Sequence, residues 1–305
     1  MDKGPEKTPP APLRAAVDAI LLEAKSALSG TAHAGVTQTI HDFRVTMKRW
    51  RAVLRLIEPF IGDEATLLRR EATLLTRNLS SSRDVQAALD ALGDIAKSQA
   101  GLDDLTADVR EAATHKLSEL RGQTEAGTFD ETLLKKLDAA VTRATVQARS
   151  WPLEAIAFTD LAAGLARSYR RARRRRPASW HDAGDEALHD LRKAVVTLRY
   201  QIEIVAPIWP RYWKVFSSEL QKLRTQLGKG NDLAVLEALL RPRQPLARWR
   251  KHLARRIPPR AQRHRRQAER IAGRALAETP RAFRRRLVAL WQAERDTDGG
   301  FRPFT

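Results

Sequence analysis

The chain has 305 residues, 43% of them hydrophobic and only 6% aromatic, with no cysteine and a formal net charge of +19. That length supports one large or two ordinary domains whose core must be mostly Leu, Ala, Val and Ile. The lack of cysteine excludes disulfides, thiolate metal sites and cysteine nucleophiles, and it fits the cytoplasm.

The charge is unevenly placed. Residues 1–150 hold 21 Lys+Arg and 21 Asp+Glu, whereas 151–305 hold 34 and 15, so 34 − 15 accounts for the whole +19. A half that basic and that rich in arginine suits phosphate groups. Nucleic acid, anionic membrane and inorganic phosphate polymers all qualify on charge alone.

In chain order, residues 1–12 read as a polar, Pro-rich tail without the apolar stretch of a secretory signal. Apolar spacing predicts helices over 13–29 and 36–58, the second stopping before Pro59, then 63–79 and 85–97, the last capped by Asp84. Segments 103–122 and 128–150 are also helix-like, with Gly101, Gly122 and Gly127 as breaks. A second string of helices starts near 152, broken at Pro177, Pro207 and Pro210, "GKGND" (228–232), "RPRQP" (241–245), Pro258 and Pro259, and Pro280. There is no alternating strand pattern, and no run approaches the 18 apolar residues of a membrane span. The expected class is all-α, without membrane association.

The helix at 36–58 carries two stripes. His41, Arg44, Lys48, Arg51 and Arg55 are spaced 3, 4, 3 and 4, which stacks them on one face at about 100° per residue. Phe43, Met47, Trp50, Leu54 and Ile57 form an apolar stripe with the same spacing. Like charges three and four residues apart repel, so a mere solubilising face would mix signs.

The pattern repeats. A shift of 148 residues aligns 40–92 with 188–240 without a gap, setting "IHDFRVTMKRWRAVLRLIEPF" over "LHDLRKAVVTLRYQIEIVAPI". His41 meets His189, Asp42 meets Asp190, Arg44 meets Arg192, Arg51 meets Arg199 and Asp84 meets Asp232. The apolar stripe recurs as Leu191, Val195, Leu198, Ile202 and Val205. The chain reads as an internal duplication, with halves at 13–150 and 151–305 facing each other across a pseudo-two-fold axis. The second copy departs from the stripe: Val196 stands for Lys48 and Glu203 for Arg55, while Lys193 shifts the cationic track sideways.

The densest basic run is Arg170, Arg171, Arg173, Arg174, Arg175 and Arg176. Leu165, Ala166 and Tyr169 upstream keep helical spacing, so the run is expected to end a packed helix. Asp42 and Asp190 read as structural partners for neighbouring cations. Trp50, Trp249 and Trp291 read as core anchors. His41 and His189 lack the companion ligands of a helical metal site, so none is expected. No G-x-x-x-x-G-K-[ST], H-E-x-x-H or G-x-S-x-G motif occurs, and no nucleophile–base pair stands out. The sequence reads as a binder without enzymatic activity or cofactor.

The duplicated "HDFRVTMKRWR" and "HDLRKAVVTLR" helices, with "SSSRDVQAAL", "GKGNDLAVLEALL" and the arginine-rich "SYRRARRRRP", resemble the CHAD family, the conserved-histidine α-helical domain, over nearly the whole chain from residue 13. The resemblance implies two pseudo-symmetric helical bundles around a basic central cleft or pore. It also implies binding of inorganic polyphosphate and association with cytoplasmic polyphosphate granules. Carried over by position, the polyphosphate-binding residues are His41, Arg44, Lys48, Arg51, His189, Arg192, Lys193 and Arg199. Arg55, Arg83, Arg170, Arg171, Arg173, Arg174 and Lys222 complete the candidate set. The alternative is non-specific binding of DNA or RNA through the same basic half. A polyphosphate-metabolising enzyme is a further expected partner.

Overall fold

A computed structural model describes residues 12–29, 35–79, 83–97, 107–125 and 131–298. Among them every regular element is helical. The helices are α1 (Pro12–Ser29), α2 (Val36–Ile61), α3 (Asp63–Asn78), α4 (Arg83–Ala96), α5 (Ala107–Glu125) and α6 (Glu131–Arg149). After a short turn come α7 (Phe158–Arg174), α8 (Asp185–Val205), α9 (Pro210–Leu239), α10 (Ile257–Ala275) and α11 (Pro280–Asp298), with short helical turns between α9 and α10. None of the described helices is long and apolar enough to cross a membrane.

Several boundaries differ from expectation. Pro59 does not end α2, which runs to Ile61 and closes through the Gly62 N–H to the Glu58 carbonyl at 2.8 Å. Gly62 takes a positive φ of 75°, a conformation open to glycine at little cost. Gly122 lies inside α5 rather than ending it. Pro258 and Pro259 sit in the first turn of α10, where a missing N–H costs nothing. Gly101 and Gly127 lie outside the described residues, as does most of the tail, though Pro12 already begins α1.

The largest difference is "GKGND", expected as a break but found inside the unbroken α9. A helical glycine costs about 1 kcal/mol against alanine. Packing outweighs that cost because both ends of α9 are anchored. Leu220, Leu223 and Leu227 enter the main core, while Leu233 and Leu236 enter a second cluster with Leu92 and Ile95 of α4 and Leu117 of α5.

The main core draws on both halves of the chain. The apolar stripe of α2 is buried throughout, and the stripe of α8 packs against it. Trp50 stacks on Trp151 with centroids 5.9 Å apart, and the Trp151 indole N–H donates to Glu64 at 3.0 Å. Gln201, fully buried on α8, donates to the Ala52 carbonyl of α2 at 2.8 Å. On α7 a Cβ added at Gly164 would lie 2.6 Å from Leu56 Cδ1, so only glycine lets α7 approach α2 this closely. Trp249 is buried, and Trp291 stacks on Phe158 at 4.9 Å. With α2 and α8 clamped side by side, their cationic stripes are brought to a common side.

A buried ionic knot ties the second cluster to α10. Asp94 at the end of α4 accepts from Arg260 at 2.6 and 2.8 Å, from Lys229 at 2.9 Å and from His264 Nε2 at 2.7 Å. His264 Nδ1 lies 2.7 Å from Gln226 Oε1. These cations hold the Asp94 carboxyl well below the usual range against the opposing effect of burial. Removing one partner from such a knot leaves buried charge uncompensated, so Asp94→Ala is expected to cost about 3 kcal/mol. Urea unfolding should show a lower midpoint with an unchanged slope; an unchanged midpoint would show that the knot contributes nothing.

Candidate anion-binding site

Four helices deliver the site. Arg44 and Lys48 stand one turn apart on α2, Arg83 opens α4, Arg192 lies on α8 and Arg224 on α9. Among the described residues none of these five cations has a carboxylate within 4 Å, although Asp232 of α9 lies close enough to Arg192 to interact through space. Arg44 donates to the Leu79 carbonyl at 3.2 Å, which fixes its direction. Arg192 Nε is sealed from solvent with no acceptor. Its guanidinium lies against the bare flank of α9, with Nε and Nη2 each 3.5 Å from where a Gly228 Cβ would stand. Gly228 therefore makes room for a large planar cation between two packed helices.

The electrostatics follow from this crowding. Lys48 is pushed down to about 8, first by burial and then by the charges of Arg44, Arg224, Arg192 and Arg83. Burial and neighbouring guanidiniums also lower Arg44 and Arg192. His189, one turn before Arg192, falls below its ordinary value through burial and the cations Lys193, Arg192 and Arg83. Its Nδ1 is sealed without a partner. Asp232 is raised by burial, though Arg192 pulls the other way.

The other sequence candidates fall elsewhere. His41 is exposed three residues before Arg44, and Asp42 accepts from Gln38 at 2.8 Å. Arg51 is half-buried beside Arg69, whose charge adds to burial in lowering it, and Arg55 is half-buried one turn further along α2. Three candidates are engaged by carboxylates: Lys193 with Asp190 at 3.2 Å, Arg199 with Glu203 at 3.1 Å and Lys222 with Glu219 at 2.7 Å. Arg199 also lies over the Tyr200 ring at 4.3 Å. On α7, Arg170, Arg171 and Arg174 are exposed near the C-terminus, where cations offset the helix dipole. Arg173 is half-buried with its Nε sealed and unpartnered. Arg175 pairs with Asp190.

Sequence reasoning missed Arg224, whose counterpart at the repeat offset is Thr76, and the spatial role of Gly228. One signal was available. Arg224 precedes Gly228 by one helical turn, so both stand on one face of α9, as they would if "GKGND" continued the helix.

Comparison with known proteins accords with this architecture. A sequence model of the CHAD domain matches residues 11–241. The chain belongs to the CHAD family. Among solved structures, the CHAD domain from the plant Ricinus communis is similar, with 19% identity, 91% of each chain covered and a TM-score of 0.51. That likeness concerns the fold. Curated protein sequences gave no match. The match to the CHAD model spans α1 to α9, including all five clustered cations, and stops before Arg260 and His264 of α10.

The clustered charge costs this CHAD domain stability. The folded state disfavours the Lys48 ammonium, so the penalty is complete below about pH 8 and is relieved as pH rises towards the unfolded value of 10.5. Lys48→Met should raise stability at pH 7 by about 1–3 kcal/mol. Thermal melts should show this gain shrinking between pH 8 and 10.5. A destabilised variant at pH 7 would contradict it.

Proposed function

We propose that this CHAD domain binds inorganic polyphosphate, without catalysing a reaction, through the cluster of Arg44, Lys48, Arg83, Arg192 and Arg224. The observation that carries the reading is the unpaired state of these cations. Elsewhere in the chain Lys193, Arg199, Lys222, Arg260 and Arg286 each have a carboxylate. Here five converge from four helices with none within 4 Å. An extended anion satisfies such a site: guanidiniums present planar forks of donors to non-bridging oxygens, and neutralising a polyanion releases its condensed counterions. Family membership supports the same ligand class, as does the excess of +19.

Binding then reverses the electrostatic penalty. A phosphate oxygen beside Lys48 and His189 favours their charged forms, so association takes up protons. His189, with its sealed and unpartnered Nδ1, fits this role better than the exposed His41. The expected setting is the cytoplasm, with the protein docked on polyphosphate granules and a polyphosphate-metabolising enzyme as a further partner. DNA or RNA is the competing ligand, and the exposed arginines of α7 favour it most.

Arg44→Ala combined with Arg192→Ala removes one cation from each repeat. Charge-assisted contacts contribute about 1.5–3 kcal/mol each before non-additivity, so affinity for long-chain polyphosphate should fall by roughly 30-fold or more. Gly228→Leu, which removes no charge but crowds the Arg192 guanidinium, should also weaken binding. Circular dichroism with calorimetric titration tests both. Wild-type affinity in a folded double variant would remove these helices from the site.

A further inference from the structure

Lys48 is an amine surrounded by guanidiniums. Arg44 faces it from its own helix, Arg83 from α4, Arg192 from α8 and Arg224 from α9. The nearby carboxylate of Asp232 couples to Arg192 and Arg83, and no described carboxylate lies within 4 Å of Lys48. Lys48 is half-buried, so it keeps partial contact with solvent. Other lysines differ: Lys193 and Lys222 are ion-paired, whereas Lys25, Lys136 and Lys214 are exposed on helix faces.

Two properties therefore meet at one atom. With its value at about 8, roughly a quarter of the Lys48 amine is neutral near pH 7.5, against about a thousandth for an ordinary lysine. A neutral amine is a nucleophile, and crowding by cationic groups is one way of activating a lysine. The same guanidiniums form a receptor for a phosphate group. A molecule that joins a phosphate to an electrophilic carbon uses both.

We infer that Lys48 is an acylation site, at which an acyl phosphate held through its phosphate group by the surrounding arginines transfers its acyl group to the Lys48 amine. The inference rests on the phosphate-binding reading of the cluster. The Nζ lone pair attacks the acyl carbonyl carbon and an N–C bond forms. The C–O bond to phosphate then breaks, and its electron pair leaves with inorganic phosphate. The surplus amine proton passes to the departing phosphate or to water. Arg44, Arg83, Arg192 and Arg224 stabilise the negative charge that builds on the leaving oxygen, so they assist departure as well as binding. The product is a neutral amide. It removes the central cation of the cluster, so acylation weakens polyanion binding and relieves the repulsion within the fold.

The experiment exposes the full-length chain to acetyl phosphate near pH 7.5 and follows each lysine by site-resolved mass spectrometry. Lys48 should be acetylated about tenfold faster than Lys25, Lys136 and Lys214. Long-chain polyphosphate should protect Lys48 and leave the exposed lysines unaffected. The uncharged N-hydroxysuccinimidyl acetate should show a much smaller preference, because its leaving group gives the arginines nothing to hold. Acetylation of Lys48 no faster than that of the exposed lysines, or an equal preference with the uncharged ester, would overturn the inference. Calorimetric titration of the unmodified protein with polyphosphate separates the two readings. Binding without preferential acetylation rejects acylation alone, and absence of binding rejects the phosphate site as well.

Discussion

Mutual repulsion among Arg44, Lys48, Arg83, Arg192 and Arg224 is the force against which the surrounding structure is built. No carboxylate is supplied to relieve it, so the fold must hold the five cations together by packing. Gln201 and Gly164 clamp α8 and α7 onto α2, and Gly228 admits the Arg192 guanidinium against α9. The apolar stripes of α2 and α8 are fully committed to one core, which leaves their cationic faces no freedom to rotate apart. Marginal stability makes such an arrangement expensive, and it is understandable where an incoming anion restores the balance.

The second hydrophobic cluster serves the same end at a distance. Arg83 reaches the site because α4 is fixed, and α4 is fixed by the far end of α9, with Asp94 as its polar anchor. The anchor's partners on α10 lie beyond the stretch matched by the family model. The C-terminal helices thus support the position of a residue that precedes them by well over a hundred positions.

The helical class, the apolar stripes and the pairing of His41 with His189 and Arg44 with Arg192 were all legible in the sequence, because helical periodicity and a gap-free offset are local signals. Other features were not. Lys193 and Lys222 read as cations free to bind, yet each finds a carboxylate three residues away on its own helix, at Asp190 and Glu219. Arg224 has no equivalent in the first copy, so comparison of the copies passed over it. The glycines of "GKGND" read as a turn by propensity, and only the anchoring of both ends of α9 makes them helical. Where the answer depended on which distant elements meet, local pattern was insufficient.

The choice of polyanion follows from shape as much as charge. A recess of half-buried guanidiniums admits a thin, flexible chain of phosphates, whereas a duplex presents its phosphates on a wide, stiff cylinder suited to exposed arginines. Titrating the protein side by side with long-chain polyphosphate and duplex DNA, at equal phosphate concentration over a series of salt concentrations, separates the two. Tighter binding of polyphosphate at every salt concentration is the predicted result. Equal or tighter binding of DNA throughout would contradict the assignment of the recess to polyphosphate.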